Sequence, residues 1–253
     1  MRLDAAPFSS RLSDAANTAP FYDAYQGFSV SLCVKIVETL RETDPDLRIE
    51  AVGVTAQTRF PSPEHQAEDW TLLCDPTSVT VARLEYCSFS FPYFVTGIAY
   101  ATLDSKMTPA TLRDQIVALV GQTTADTGLE AEWVQKYGDA PKFEPKSNYE
   151  EAVAALRDNK VAAVFGDQVL LMEALETAGM VAEYTLSSDV LSIELYSFCV
   201  DPDRPEVLAA VNATLADLYR TGEVIELLAD NFDGRGANRL LSTMYRLYAV
   251  SER

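Results

Sequence analysis

Residues 75–93, DPTSVTVARLEYCSFSFPY, decide how the chain is read. The run opens on mostly small or hydroxylated residues, Pro76, Thr77, Ser78, Val79 and Thr80, and Arg83 follows three positions later. Hydroxyls and backbone N–H groups beside a guanidinium make an anion-grade site. The planar fork of Arg matches both oxygens of a carboxylate, and Ser and Thr add neutral donors. Phe89 to Tyr93 reads as an aromatic turn leading into an apolar strand. Taken alone, the run also fits a polar strand-to-helix turn with Arg83 on the surface.

The rest of the chain narrows the classes. At 253 residues it can bury a sizeable core, as one large domain or two lobes. Its hydrophobic content of 48%, with 11 Gly and 12 Pro, is that of an ordinary globular protein. No apolar run approaches the roughly 20 residues needed to span a bilayer. A net charge of −18 argues against nucleic acid and anionic membrane surfaces as partners. An anionic ligand then depends on locally placed arginines, since the bulk field opposes it. The four cysteines, Cys33, Cys74, Cys87 and Cys199, form no C-x-x-C pair, so neither a zinc ribbon nor a thioredoxin-type site is indicated. The single histidine, His65, falls in a polar stretch and speaks against Ser-His-Asp or Cys-His chemistry. No zincin, Walker, dinucleotide or D-x-D-x-D pattern is present, so neither a cofactor nor a metal is expected.

Periodicity gives the elements. Residues 28–40 carry apolar side chains at helical spacing, and 47–54 (LRIEAVGV) alternate as a strand does. Residues 61–69 are polar and proline-bearing, 70–74 read as a short strand, and 95–103 as an apolar strand containing Gly97. A helix starts at Thr108-Pro109, with proline in its first turn. Strand 116–120 runs into Gly121-Gln122-Thr123-Thr124 and a helix; 148–157 is helical with an acidic start. Strand 161–165 ends at Gly166-Asp167, with a helix over 169–178, and 195–200 is a strand. Helices over 206–221 and 223–231 are separated by Gly222. Strands alternating with helices at this spacing predict an α/β protein with mostly parallel sheets and flanking helices. In such sheets a carboxylate at a strand end, such as Asp167, faces the ligand crevice or caps the helix that follows.

These pieces carry a resemblance. T-S-x-T-x-x-R at 77–83 followed by F-S-x-P-Y-F at 89–94 resembles the carboxylate-binding segment of the type II periplasmic solute-binding proteins. Within these it is similar to the polar amino-acid receptors of ABC transporters, the bacterial extracellular solute-binding family 3. GFSVSLC at 27–33 resembles their G-[FY]-x-x-D-L segment, with Ser31 in place of Asp. VTAQTRFP at 54–61 and Leu73-Cys74 resemble the glutamate/aspartate-binding branch. The matches fall in family order along nearly the whole chain.

The resemblance implies a two-lobed fold with two interlobe crossover strands: lobe 1 over 1–97 plus 198–253, and lobe 2 inserted over 98–197. It implies a receptor that holds an amino acid or similar small carboxylate in the interlobe cleft and closes on it, without catalysis, for delivery to an ABC importer. The ligand α-carboxylate would pair with Arg83 and Ser78, and Asp167 would meet its α-ammonium. Thr80 lines the same pocket or caps the following helix. Gly121, Gln122, Thr123 and Thr124 resemble the family's G-T-T turn, with Gln122 replacing the first Thr. Arg2 and Arg59 match arginines of the acidic-ligand branch, the alternatives being a disordered chain start for Arg2 and a brace behind the site for Arg59, whereas Asp75, where glycine is common, weighs against an anionic ligand side chain. Phe8 and Phe91 form an apolar wall or belong to the core, and Glu194 with Tyr196 touches ligand or organises the hinge.

Cys33 and Cys74 stand where the branch carries a disulfide, the alternative being two buried thiols; Cys87 and Cys199 are expected as ordinary core residues. The implied partners are the small-molecule ligand and a transporter permease, with the chain a monomer in the periplasm. Met1 would sit inside or just before the first strand of the family, so export is inferred from the family. Two alternatives share the fold. One is a cyclohexadienyl-dehydratase-like enzyme using Glu194 or Asp167 as general acid; the other is a ligand sensor uncoupled from transport.

Overall fold

A computed structural model describes residues 1–16, 19–61 and 70–250; most of the polar segment read at 61–69, with His65, lies outside the described residues. The chain divides into two compact units. Met1–Thr55, Phe60–Val95 and Leu195–Arg253 form the first, and Ala56–Arg59 with Thr96–Glu194 form the second.

The first unit opens with a small antiparallel sheet of β1 (Asp4–Ala5), β2 (Ser9–Arg11) and β3 (Tyr25–Gln26), with α1 (Phe21–Ala24) leading into β3. Gly27 starts α2 (Phe28–Thr43) at φ 121°, and a Cβ there would lie 2.4 Å from the Phe8 carbonyl. Only glycine permits that approach, which lets the N–H groups of Phe28 and Ser29 donate to the carbonyls of Pro7 and Phe8 at 2.9 Å. One face of α2, with Leu32, Cys33, Ile36 and Val37, is buried. The chain continues through β4 (Leu72–Ser78), a 3-10 turn at Ala82–Glu85 and β5 (Ser88–Thr96).

The second unit holds β6 (Ile98–Thr102), α3 (Pro109–Leu112), β7 (Ile116–Val120), α4 (Thr124–Tyr137) and β8 (Lys142–Lys146). It continues with α5 (Tyr149–Arg157), β9 (Ala163–Asp167), α6 (Gln168–Thr177) and β10 (Thr185–Leu186). Its sheet has the order β10-β6-β9-β7-β8, with β7 parallel to both β8 and β9 and the other pairs antiparallel. Ile98, Val117, Leu119 and Phe165 of the sheet pack with Leu129 and Trp133 of α4.

Back in the first unit, β11 (Glu194–Val200, its first residue counted with the second unit) runs between β4 and β5. It is followed by α7 (Pro205–Thr221), α8 (Glu223–Asn231) and α9 (Arg239–Tyr248). The core of this unit is aromatic: Phe8 meets Phe94, Tyr196 and Phe232 edge-on, with ring centroids 4.8, 5.2 and 5.5 Å away. Each such ring taken out of water stabilises the fold by about 1.5–3 kcal/mol.

The α/β class and most elements from α2 onward fall where the pattern puts them, and four local readings are corrected. Residues 47–54 alternate but form no strand. Val54 alone makes a parallel bridge, to Arg2, because among the described residues its backbone bonds go only to Met1 and Leu3. The expected strand 95–103 is two strands broken at Gly97, where a Cβ would meet the Ser192 carbonyl oxygen at 2.4 Å. Phe89 to Tyr93 is strand and not turn. Side chains satisfy the backbone around Pro92: Asn212 accepts from the Phe91 N–H at 2.7 Å, and Tyr219 donates to the Pro92 carbonyl at 3.0 Å.

The fourth correction concerns cysteine. Cys33 and Cys74 are bonded, joining α2 to β4 with Cα atoms 6.1 Å apart. Cys87 and Cys199, expected as plain core residues, form a second disulfide with Cα atoms 4.9 Å apart. The cause is strand order. With β5 beside β11, the residue preceding β5 lies at neighbouring-strand distance from the end of β11. No free cysteine occurs among the described residues. Thiol titration of oxidised, denatured protein is therefore expected to find no free thiol. The double variant Cys87→Ser, Cys199→Ser is expected to lose about 2–5 kcal/mol in urea unfolding, since that bridge closes a loop of 112 residues in the unfolded chain.

Candidate functional site

In the first unit the candidate residues cluster at the C-terminal end of β4. Ser78 is its last residue, buried and paired with Tyr196 of β11, and the next N–H, that of Val79, donates to the Leu195 carbonyl at 2.9 Å. The chain then turns through the 3-10 segment, and Arg83 folds back so that Nη1 donates to the Ser78 carbonyl at 2.8 Å. Its half-buried guanidinium lies 5.4 Å from the centroid of the Phe60 ring. The Thr80 hydroxyl accepts from the Arg83 N–H at 3.3 Å, so it caps this turn. Ser78, Thr80 and Arg83 are thus brought together, and the guanidinium is pre-oriented by a carbonyl and an aromatic face.

Asp75 is fully buried in β4, where its carboxylate accepts from the Thr77 hydroxyl. Arg2 is also buried, donating through Nε and Nη2 to Asp4 at 2.8 Å. Phe8 has no exposed surface and belongs to the aromatic core, while Phe91 stacks at a tilt on Tyr248 with centroids 5.0 Å apart. Tyr196 is likewise buried in that core.

In the second unit, Asp167 ends β9, 7% exposed, and makes no side-chain capping bond to α6 although it occupies the cap position. Its N–H donates to the Tyr149 hydroxyl at 3.1 Å. Residues 121–124 form the turn between β7 and α4, with Gln122 left-handed at φ 60°. The Gln122 N–H is used by Asp126 (2.8 Å) and the Thr123 hydroxyl by the Val120 carbonyl (2.7 Å). The N–H groups of Thr123 and Thr124 make no hydrogen bond among the described residues and mark the positive end of α4. Arg59 is buried, and Glu194, also buried, accepts from the Ser192 hydroxyl at 2.9 Å. Burial, and then the Glu194 charge, raise the Glu132 carboxyl above its ordinary value. No cluster of three or more metal-type side chains exists among the described residues. None of their helices is long and apolar enough to cross a membrane.

Residues 2–234 match the bacterial extracellular solute-binding proteins, family 3. The chain belongs to that family. Comparison with curated proteins finds no match. Solved structures share the fold. ArgBP from T. maritima, as its P235GK mutant, is 20% identical with a TM-score of 0.69, over 92% of this chain and 93% of that one. A cysteine-binding protein from Campylobacter jejuni is 18% identical with a TM-score of 0.70, over 94% and 91%. An ancestral amino-acid-binding protein described as a precursor of cyclohexadienyl dehydratase is 18% identical with a TM-score of 0.69, over 92% and 95%.

Two residues around the site escaped the sequence reading of this family-3 chain. One is Tyr149, whose ring packs on Gly166: a Cβ there would lie 2.3 Å from the Tyr149 hydroxyl oxygen. Glycine before Asp167 thus leaves room for the phenol that receives the Asp167 N–H. The other is Gln57, whose amide reaches the turn at Gly121. Neither position carries a pattern that periodicity detects. Gly166→Ala is expected to cost about 1–3 kcal/mol in urea unfolding through overpacking. In a Tyr149→Ala background, with the ring gone, the same substitution is expected to cost less, and equal costs in both backgrounds would show that the ring is not the obstacle.

Proposed function

We propose that this family-3 protein is an extracytoplasmic receptor for an amino acid or a similar small zwitterion, acting as a monomer that delivers its ligand to the permease of an ABC importer. In this reading Arg83 and Ser78 receive the ligand α-carboxylate. Asp167 receives its α-ammonium, and the N–H groups of Thr123 and Thr124 supply further donors. The observation that carries it is the guanidinium of Arg83, held beside Ser78 at a strand end within a chain that matches the family over residues 2–234. A pre-oriented Arg fork loses little freedom on meeting a planar carboxylate.

Structural neighbours support the ligand class, since they include ancestral arginine-binding proteins bound to glutamine and to arginine and a cysteine-binding protein. The fold-mate named as a dehydratase precursor is itself called amino-acid-binding, which favours binding over catalysis. Asp75, buried within β4, and Arg2, paired with Asp4, leave no preference here for an acidic ligand side chain.

Mass spectrometry of molecules released from denatured protein, with a thermal-shift screen of the standard amino acids, tests the proposal. A ligand at about 100 times its dissociation constant adds roughly 2.7 kcal/mol of stability. Arg83→Ala is expected to cost about 2–5 kcal/mol of binding for every α-carboxylate ligand that the parent takes. Asp167→Asn is expected to weaken ligands bearing an α-ammonium more than matched ligands lacking it. Equal weakening of both would make Asp167 a structural brace, and parental binding by Arg83→Ala would move the site elsewhere.

A further inference from the structure

Residues Ala56–Arg59 are a short excursion of the chain. Thr55 before them and Phe60 after them belong to the first unit, yet these four pack with the second. Ala56 and Arg59 are buried. Between them Gln57 donates from its amide nitrogen to two carbonyl oxygens, that of Ser147 at 2.8 Å and that of Gly121 at 3.3 Å. Gly121 directly follows β7 and Ser147 directly follows β8. These strands are parallel neighbours, with Val120 opposite Lys146. The Gly121 N–H donates across to the Lys146 carbonyl at 2.9 Å, so the two strand ends are already in register. Gln57 closes that register on the carbonyl side.

A primary amide nitrogen carries two hydrogens, one for each acceptor, whereas a carboxylate of the same size carries none. Both carbonyls stand where strands hand over to helices. After Gly121 come the two unused N–H groups of Thr123 and Thr124. After Ser147 comes α5, whose first turn is fixed by Asn148 accepting from Glu151 and by Glu151 accepting from the Ser147 N–H. Gln122 is the left-handed residue between the clipped carbonyl and those donors. A turn carrying a strained residue keeps its direction only while its neighbours are held. The Gln57 clip holds the residue immediately before it.

We propose that Gln57 is a positioning residue for the ligand turn at 121–124, fixing the direction of the Thr123 and Thr124 N–H groups by bridging the ends of β7 and β8. This rests on the reading that the turn contacts the ligand. Reciprocity follows from linkage. A ligand that engages those two N–H groups tightens the Gln57 bridge, and loss of the bridge weakens the ligand by the same factor.

The test uses Gln57→Glu, which keeps size and sets an acceptor against two carbonyls, and Gln57→Lys, which restores donors on a similar stem. Amide hydrogen exchange of the ligand-free chain is the first readout. Gln57→Glu is expected to speed exchange of the hydrogen-bonded Gly121 and Gln122 N–H groups by ~5–30-fold. Exchange in α7 stays at the parental rate, and Gln57→Lys restores most of the protection.

The second readout is calorimetric titration with L-arginine, L-glutamine and L-cysteine as probes. Any probe that binds the parent is expected to bind Gln57→Glu weaker by a similar factor, and to recover as pH falls and the new carboxyl is protonated. Unchanged exchange at Gly121 and Gln122, or faster exchange throughout the chain, overturns the positioning role. So does faster exchange with undiminished probe binding. If no probe binds the parent, the receptor reading fails on its own, and the exchange comparison still decides whether Gln57 holds the turn.

Discussion

One buried phenol holds the first unit together where it matters most. Tyr93, fully enclosed, shares a 2.6 Å hydrogen bond with the Ser29 hydroxyl of α2 and lies 2.9 Å from the Asp75 carbonyl of β4. Its own carbonyl accepts from the Tyr245 hydroxyl of α9 at 3.0 Å. A helix from the start of the chain, two strands from its middle and a helix near its end thus meet on one residue. In a low-dielectric interior such a network is strongly directional, and leaving any member unsatisfied costs about 1–3 kcal/mol. Its position explains its importance, because β4 beyond Asp75 runs directly to Ser78 and the turn that carries Arg83. The place of the guanidinium is therefore set from beneath by the aromatic core, while the turn itself contributes only short local bonds.

The same economy recurs in the second unit. Asp167 stands at the end of a fully buried strand, its N–H committed to Tyr149, and the turn at 121–124 spends its Gln122 N–H and Thr123 hydroxyl on itself. What that turn leaves over is the pair of N–H groups of Thr123 and Thr124. On the proposed reading of a carboxylate ligand, that arrangement suits a chain carrying a net charge of −18. Long-range fields repel anions from such a protein, so recognition of a carboxylate has to come from a few donors whose orientation is fixed in advance.

Where the sequence was legible, side-chain chemistry and backbone role coincided. Apolar runs ending in Gly-Asp or Gly-Gln-Thr-Thr gave β9 and β7 with their turns, and the spacing of Val30, Val34, Val37 and Leu40 gave α2. It was illegible where pairing alone decides. β8 (KFEPK) carries charge and a proline and is a strand because β7 supplies its ladder, whereas 47–54 alternates well and is not one. The Cys87–Cys199 bond depends on strand order across 112 residues, which no local pattern encodes. The resemblance marked Arg83, Ser78 and Asp167 as candidates but assigned no role to Tyr149 or to Gln57, whose contribution is geometric.

That second disulfide has a topological consequence. All of Thr96–Glu194, the larger part of the second unit, lies between Cys87 and Cys199, so this stretch is enclosed in a covalent ring closed on the first unit. Its two ends can never drift apart, even when the segment between them is open. A protease that severs any one loop in this stretch leaves a nicked chain, heavier by one water, whose halves stay joined, and only a reductant separates them. In a member of an extracellular family the ring thus turns a single cut from a fragmentation into a nick that keeps both pieces together.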